Sequence, residues 1–136
     1  MARKAKATVL DSWAVMAYLE DETAGKEVAD LIVDAHQNDK PLFMSVVNAG
    51  EVWYILAREL SVVDADNAIT DLRQLGIEFV DADWPLAKLA GSFKAQHKMS
   101  LADCYAAALA KLKKAELVTG DKEFRQVDNE INIHWL

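Results

Sequence analysis

The chain has 136 residues, a single cysteine and a formal net charge of −7. This length supports one domain with a sizeable core, and the 52% hydrophobic content excludes a disordered chain. One cysteine excludes an internal disulfide framework and a thiolate-rich zinc site, and it fits a reducing cytoplasm. Asp11 interrupts the apolar stretch that follows the basic N-terminus, so neither a signal peptide nor a membrane span of roughly 18 residues is expected.

The negative net charge disfavours RNA as a partner, because neutralising phosphates normally takes a surplus of Lys and Arg. A metal site built from carboxylates would soften this objection, since bound cations reverse the local sign of the charge. Basic residues also gather towards the end of the chain, at Lys88, Lys94, Lys98, Lys111, Lys113, Lys114, Lys122 and Arg125. Such a run is typical of a solvated helix face, and we interpret most of these residues in that way.

Hydrophobic periodicity predicts strands that alternate with helices along the whole chain. Strands are predicted over residues 7–10, 42–45, 77–80, 116–119 and 131–136, the last of them at a sheet edge. Helices are predicted over residues 12–20, from Ala24 to about Asn38, from about Ala49 to Leu60, from Ser61 until Gly76, from the turn with Pro85 to about Lys98, and from Ser100. A short turn, DKEF, separates the last two strands.

This alternation predicts an α/β fold over residues 1–136, with a central, mostly parallel twisted sheet flanked by helices on both faces. Ligands of such sheets bind at the carboxyl ends of the strands, near the point where the strand order reverses. The chemistry of this chain is therefore expected at that edge.

Four acidic residues from distant parts of the chain could meet at this edge. Asp11 directly follows the first predicted strand, and Asp121 closely follows the fourth. Glu51 and Asp103 are predicted in the first turns of two helices. Carboxylates this close repel one another unless cations are bound or their pKa values rise, and hard cations such as Mg²⁺ or Mn²⁺ prefer oxygen ligands.

Each acid also has a purely structural explanation. Asn48 with Glu51, and Ser100 with Asp103, match the spacing of a capping box. The two acids that follow strands could be N-caps of the next helical turns, where the helix dipole favours negative charge. Taken singly, each acid is better explained as a cap; taken together, their placement favours a site.

The sequences around these acids resemble the motifs of PIN domains, in particular those of VapC-type toxins. The segments that carry the resemblance are VLDSWAVMAYLE, SVVNAGEVWYIL, SLADCYAAALA and ELVTGDKEF, which occur in that order and cover essentially the whole chain. One departure is Gly120, because many members carry a basic residue there. The resemblance implies a PIN-like three-layer sandwich.

The resemblance further implies a metal-dependent endoribonuclease. In this interpretation one or two Mg²⁺ or Mn²⁺ ions, which activate water for attack on RNA, are held by Asp11, Glu51, Asp103 and Asp121. Ser12 and Thr119 would orient carboxylates or the attacking water, although an N-cap and an ordinary strand residue explain them equally well. Asn48 would act as a cap and could also reach the site.

The same resemblance implies partners. VapC-like proteins usually form homodimers and are inhibited by a cognate antitoxin, whose helical segment binds near the active site, often with a basic residue. Apolar residues that could serve either such interfaces or the core are Leu31, Ile32, Trp53, Tyr54, Ile55, Leu56, Val62 and Val63.

The remaining conspicuous residues have simpler interpretations. Three scattered histidines, His36, His97 and His134, do not suggest zinc, and Cys104 lies on an apolar helix stripe. Trp13, Trp53, Tyr54 and Trp84 could stack on bases, but we expect them in the core or in a partner interface. Asp81 and Asp83 are interpreted as a loop with an N-cap before Trp84 and Pro85.

Three rival functions fit these motifs less well. A phospho-acceptor receiver domain wants an adjacent acidic pair after its first strand, whereas Asp11 is followed by Ser12. A dehalogenase-type phosphatase needs an Asp two residues after its nucleophile, where this chain has Trp13. A PIN-like scaffold that binds RNA or protein without cleavage stays open, although the presence of all four acids argues against it.

Overall fold

The computed structural model describes residues 7–20 and 22–136, so the basic segment 1–6 lies outside the described residues. The strands are β1 Thr8–Leu10, β2 Leu42–Ser45, β3 Ile77–Val80, β4 Glu116–Thr119 and β5 Asn132–Trp135. The helices are α1 Ser12–Leu19, α2 Thr23–Gln37, α3 Val46–Glu59, α4 Val62–Gln74, α5 Trp84–Gln96, α6 Leu101–Lys113 and a 3₁₀ helix Lys122–Val127. Within the described ranges, no helix has the combination of length and apolar character that crossing a membrane requires.

The five strands form one sheet in the order β3-β2-β1-β4-β5, and every neighbouring pair is parallel. The predicted α/β class and the edge position of the last strand are confirmed. From β1 the chain passes outward through β2 and β3, and it then returns to place β4 on the other side of β1. The strand order therefore reverses between β1 and β4, which is where a ligand site is expected in such sheets.

Both faces of the sheet are buried, because successive side chains of a strand point to opposite faces. Val9 of β1 and Leu117 of β4 pack with α5, α6 and the 3₁₀ helix. Leu10 and Val118, one residue further along the same strands, pack with the first four helices instead. Burying such side chains contributes about 1.5–3 kcal/mol each, so the three-layer arrangement follows from the apolar runs of the central strands.

Most of the predicted helix ends are found where the capping residues indicate them. Ser61 caps α4, with its Oγ accepting a hydrogen bond from the amide of Asp64 at 3.0 Å. Asp83 caps α5 before Pro85, and Gly76 follows α4 with a φ of +84°, as expected for a helix C-terminus.

The start of α3 differs from the prediction. This helix begins at Val46 and not near Ala49, because the hydroxyl of Ser45 caps it by accepting from the amide of Val47 at 3.2 Å. Asn48 is therefore already inside the helix, and the predicted capping box of Asn48 with Glu51 is wrong. Glu51 lies in the second turn and owes its position to the strand β2 that leads directly into α3.

Candidate active site

A cleft of about 560 Å³ opens at the carboxyl edge of β1 and β4. It lies between α1, α3, the start of α6 and the 3₁₀ helix. Its lining consists of Ser12, Trp13, Met16, Ala17, Glu20, Glu22, Glu51, Ile55, Ser100, Asp103, Asp121 and Glu123. Among the described residues, the lining contains Asp and Glu but no Lys, Arg or His. The cleft therefore carries a strong negative charge.

Three of the acids are close enough to share one cation. Asp103, Asp121 and Glu123 each offer a carboxylate oxygen, and these oxygens lie within 4.8 Å of one another. Asp103 is positioned by Ser100, the N-cap of α6, whose Oγ accepts from the amide of Asp103 at 3.1 Å. Asp121 caps the 3₁₀ helix by accepting from the amide of Glu123 at 2.9 Å. The structural and the functional interpretations of these acids are therefore compatible.

Sequence analysis did not identify Glu123. It is an exposed residue in a short 3₁₀ helix, two positions after Asp121. The only sequence signal for Glu123 as a site residue is its position two residues after Asp121. That position indicates a shared site only once the 3₁₀ turn brings both side chains towards α6.

Asp11 lies at the end of β1 and is almost fully buried, with 1% of its surface exposed. One carboxylate oxygen, Oδ1, accepts from the amide of Ala14 at 2.8 Å, which makes Asp11 the N-cap of α1. The other, Oδ2, accepts from the hydroxyl of Thr119 at 2.5 Å. The same hydroxyl oxygen accepts from the amide of Asp121 at 3.0 Å, so Thr119 connects two of the predicted acids.

Glu51 enters the cleft from α3. Its Oε1 accepts a hydrogen bond from the hydroxyl of Ser12, the first residue of α1. Ser12 therefore does not cap α1, because Asp11 does so, and its hydroxyl is free to orient Glu51. The contact joins α1 to α3 through two residues that lie 39 positions apart in sequence.

The pKa values of the two buried acids record how close the carboxylates are. Burial, together with the smaller effects of the Asp121 and Glu51 charges, raises the pKa of Asp11 to about 7, although the hydrogen bonds from Thr119 and Ala14 lower it. Burial, followed by the charge of Asp121, raises the pKa of Asp103 to about 8. The charges of Asp121 and Glu51 act on Asp11, and those of Asp121 and Asp11 act on Asp103, so the structure brings the four predicted acids near one another.

Asn48 has a role other than the predicted cap. It is fully buried, and its Nδ2 donates to the carbonyl oxygen of Ala102 in α6 at 3.1 Å. The bond ties α3, one turn before Glu51, to the first turn of α6, one residue before Asp103. Asn48 therefore helps to fix the separation of these two acids.

The aromatic residues separate into different environments. Trp13 lines the cleft with 37% of its surface exposed, whereas Trp84 is 73% exposed outside it. Trp53 donates to Asp66 at 2.9 Å, and Tyr54 stacks with Arg58. These residues were expected in the core or in a partner interface, and the core is excluded for the three exposed ones, Trp13, Tyr54 and Trp84.

Other conspicuous residues lie elsewhere. The histidines contact Leu75, Glu130 and Glu27 at three separate places. Cys104 is buried, as predicted. Several of the basic residues are spread along the surface, and two of them, Lys111 and Lys113, extend over the rings of Phe93 and Phe43.

Comparison with known proteins identifies the family. The PIN domain profile matches residues 8–130, which is most of the chain. The chain therefore belongs to the PIN domain family, and the predicted resemblance is confirmed. No curated protein sequence matches it.

Several solved structures share this fold over nearly the whole chain. VapBC2 from Rickettsia felis bound to a DNA fragment from its promoter has a TM-score of 0.76 at 16% identity, covering 96% of this chain and 98% of the other. DNA-bound VapBC from Salmonella typhimurium has a TM-score of 0.73 at 17% identity, covering 94% and 96%. VapC20 from Mycobacterium tuberculosis, a sarcin-ricin loop cleaving toxin, has a TM-score of 0.68 at 17% identity, covering 89% and 95%.

Proposed function

We propose that this protein is a metal-dependent endoribonuclease and the toxin of a VapBC-type pair. The observation that carries the proposal is the group of carboxylates at the switch point of a PIN fold. Similar folds include a toxin that cleaves the sarcin-ricin loop and complexes of toxins with antitoxins.

The residues at this site fit a hard divalent cation. Asp103, Asp121 and Glu123 offer only oxygen ligands. Such ligands suit Mg²⁺ and Mn²⁺ better than they suit zinc or copper. Glu51 and Asp11 complete the set that would hold one or two ions. A bound cation supplies Lewis-acid chemistry: it makes water more acidic and offsets negative charge on the phosphate.

The chain's own residues then determine geometry and charge. Thr119 and the amide of Ala14 hold both oxygens of Asp11, so this carboxylate keeps one orientation. Ser12 does the same for Glu51. Such partners around ligands typically affect metal affinity or activity 10–100-fold. The described cleft lining offers no positive side chain to a phosphate, so RNA can approach the acids only when cations neutralise them.

We expect the purified protein to cleave RNA in Mg²⁺ or Mn²⁺ and to lose this activity in EDTA. Electrophoresis of a mixed RNA substrate, followed by sequencing of the new ends, measures both activity and target. Cys104→Ser is the matched control for Asp103→Asn, since the two residues are neighbours and only Asp103 faces the cleft. Cleavage that persists in EDTA would contradict the metal mechanism. RNA binding without any cleavage would favour the non-cutting PIN scaffold.

The toxin assignment implies an antitoxin as partner and the cytoplasm as location. The proposed antitoxin would cover the acidic cleft in the cytoplasm, and basic side chains suit the negative charge of its lining. A homodimer is also proposed, and apolar side chains are available for either interface. Val62 and Val63 are 55% and 66% exposed at the start of α4, whereas Ile32 and Leu56 are buried in the core.

We expect expression of the wild-type chain alone to slow growth, and expression of Asp103→Asn at the same level to leave growth unaffected. The reason is that only the wild type keeps all three carboxylates of the acid cluster, which consists of Asp103, Asp121 and Glu123. Growth curves with protein levels checked by immunoblot give the measurement, and co-expression of the adjacent gene tests rescue. Normal growth at high expression of a protein that cleaves RNA in vitro would remove the toxin assignment and leave the nuclease assignment in place.

A further inference from the structure

Trp13 is the one aromatic residue among the described residues that line the acidic cleft. Its sequence neighbour Ser12 donates to Glu51, and Trp13 lines the same cleft as Glu51, Asp103 and Asp121. With 37% of its surface exposed, it offers part of its ring to whatever enters the cleft. The other three tryptophans, Trp53, Trp84 and Trp135, do not line the cleft.

Gly120 has no side chain and therefore leaves room for the indole of Trp13. A Cβ built at Gly120 would lie 2.5 Å from Cζ3 and 2.6 Å from Cζ2 of Trp13. Since no real side chain tolerates such distances, the benzene edge of the indole occupies the space above Gly120. The residue that follows is Asp121. The indole thus packs against Gly120, the residue that directly precedes Asp121.

Charge explains why an aromatic surface would matter here. The charged groups of the described lining are carboxylates, and they repel the phosphates of an RNA strand. Stacking on an aromatic ring does not depend on charge, because every base presents a π-face. Trp13 can therefore supply affinity for RNA in a cleft whose described lining offers no cation to the backbone.

We propose that Trp13 is the stacking surface for an unpaired nucleobase next to the phosphate at the acid cluster. This inference rests on the proposed nuclease function. Bases inside a duplex are already stacked on their neighbours, so the site selects single-stranded segments and loops. Gly120 is a positioning residue for the indole, and a larger residue there displaces the ring.

The test measures binding separately from cleavage. In the uncleaving Asp103→Asn background with Mg²⁺, fluorescence anisotropy follows an unstructured labelled RNA and an abasic strand of the same length and charge. Trp13→Ala should bind the RNA about tenfold more weakly, which is the size expected for one stacked base. Trp13→Phe should bind within about threefold of the parent, since it keeps a ring. Trp84→Ala is the matched control and should bind unchanged.

The abasic strand separates stacking from support of the cleft. Stacking predicts that Trp13→Ala and its parent bind the abasic strand equally. Gly120→Ala should weaken RNA binding in the Trp13 protein and have no further effect in Trp13→Ala, because the two residues act through one contact. Equal RNA binding by Trp13→Ala, or an equal loss on the abasic strand, would overturn the proposal. So would unchanged RNA binding together with weaker binding of a basic peptide, which would assign the indole to a protein partner.

The outcomes also distinguish this proposal from the nuclease assignment. Binding that depends on Trp13, in a protein whose wild type does not cleave RNA, would retain the stacking surface and reject the nuclease. Cleavage by the wild type with the same kcat/KM for Trp13→Ala would retain the nuclease and reject the stacking surface.

Discussion

Asp103→Asn should abolish RNA cleavage and at the same time stabilise the metal-free protein. Removing one carboxylate from a group of three within 4.8 Å should cost more than about hundredfold in activity, beyond the effect of partners that only orient ligands. The same change removes a carboxyl group whose ionisation is opposed by burial and by the charge of Asp121. We expect the metal-free protein to gain about 1–2 kcal/mol in the free energy of unfolding, or roughly 3–7 °C in Tm for a chain of this size.

The sign of this effect fixes its dependence on pH. The pKa of Asp103 is about 8 in the folded state, against 3.8 for the free side chain. The penalty for burying this acid therefore grows as pH rises from about 4 to about 8 and is constant above that. Thermal unfolding in EDTA should show wild-type stability falling over this range. The curve of Asp103→Asn should fall less steeply, and the two should converge near pH 4.

Asp64→Asn is a closely matched control. Asp64 occupies the same position in α4 that Asp103 occupies in α6, three residues after a serine N-cap whose Oγ accepts from its amide. Because Asp64 is exposed and outside the cleft, its replacement should leave cleavage unchanged and slightly reduce stability through the helix dipole. Mg²⁺ should raise the Tm of the wild type more than that of Asp103→Asn. A lower Tm for Asp103→Asn in EDTA at pH 8 would show that Asp103 is chiefly a structural acid.

Thr119→Val should damage both activity and stability. Valine has the shape of threonine but cannot donate to Asp11 or accept from the amide of Asp121, so it leaves one buried and one partly buried polar group without their partner. We expect a 10–100-fold loss of cleavage, because Asp11 is no longer oriented. We expect a loss of about 1–3 kcal/mol in the free energy of unfolding, measured by urea denaturation.

Thr119→Ser provides the rescue for this substitution. Serine retains the hydroxyl and loses only a methyl group, so cleavage should stay within a few-fold of the wild type. If Val and Ser reduce activity equally, the methyl group and its packing matter and the hydrogen bonds do not. In that case the assignment of Thr119 as an orienting residue would be withdrawn.

Local patterns were sufficient to predict the architecture of this chain. Apolar runs such as ELVT and LFMS mark strands buried on both faces, and caps such as Ser61 and Asp83 mark helix starts. The start of α3 was predicted three residues late because β2 leads into the helix without a loop. There Ser45 is both the last strand residue and the cap, whereas Asn48 only resembles one.

The places of candidate site residues could be predicted from the strand pattern only where a residue closely follows a strand. Asp11 and Asp121 follow strands, so topology alone brings them to one edge. Glu123 could not be identified, because its approach to Asp103 depends on the geometry of a 3₁₀ turn. The contact of Trp13 with Gly120 joins residues more than 100 positions apart, and a glycine carries no signal that an aromatic ring will occupy its free space.

The strand order also determines when the acid cluster can form during synthesis of the chain. The hydrogen bond from Thr119 to Asp11 spans 108 residues, and β4 lies between β1 and β5 in the interior of the sheet. During synthesis the first 115 residues lack β4, Thr119, Asp121 and Glu123, so the acid cluster can assemble only after β4 has been synthesised. Fragments that end before β4 therefore lack Asp121 and Glu123 and would be inactive under the proposed function.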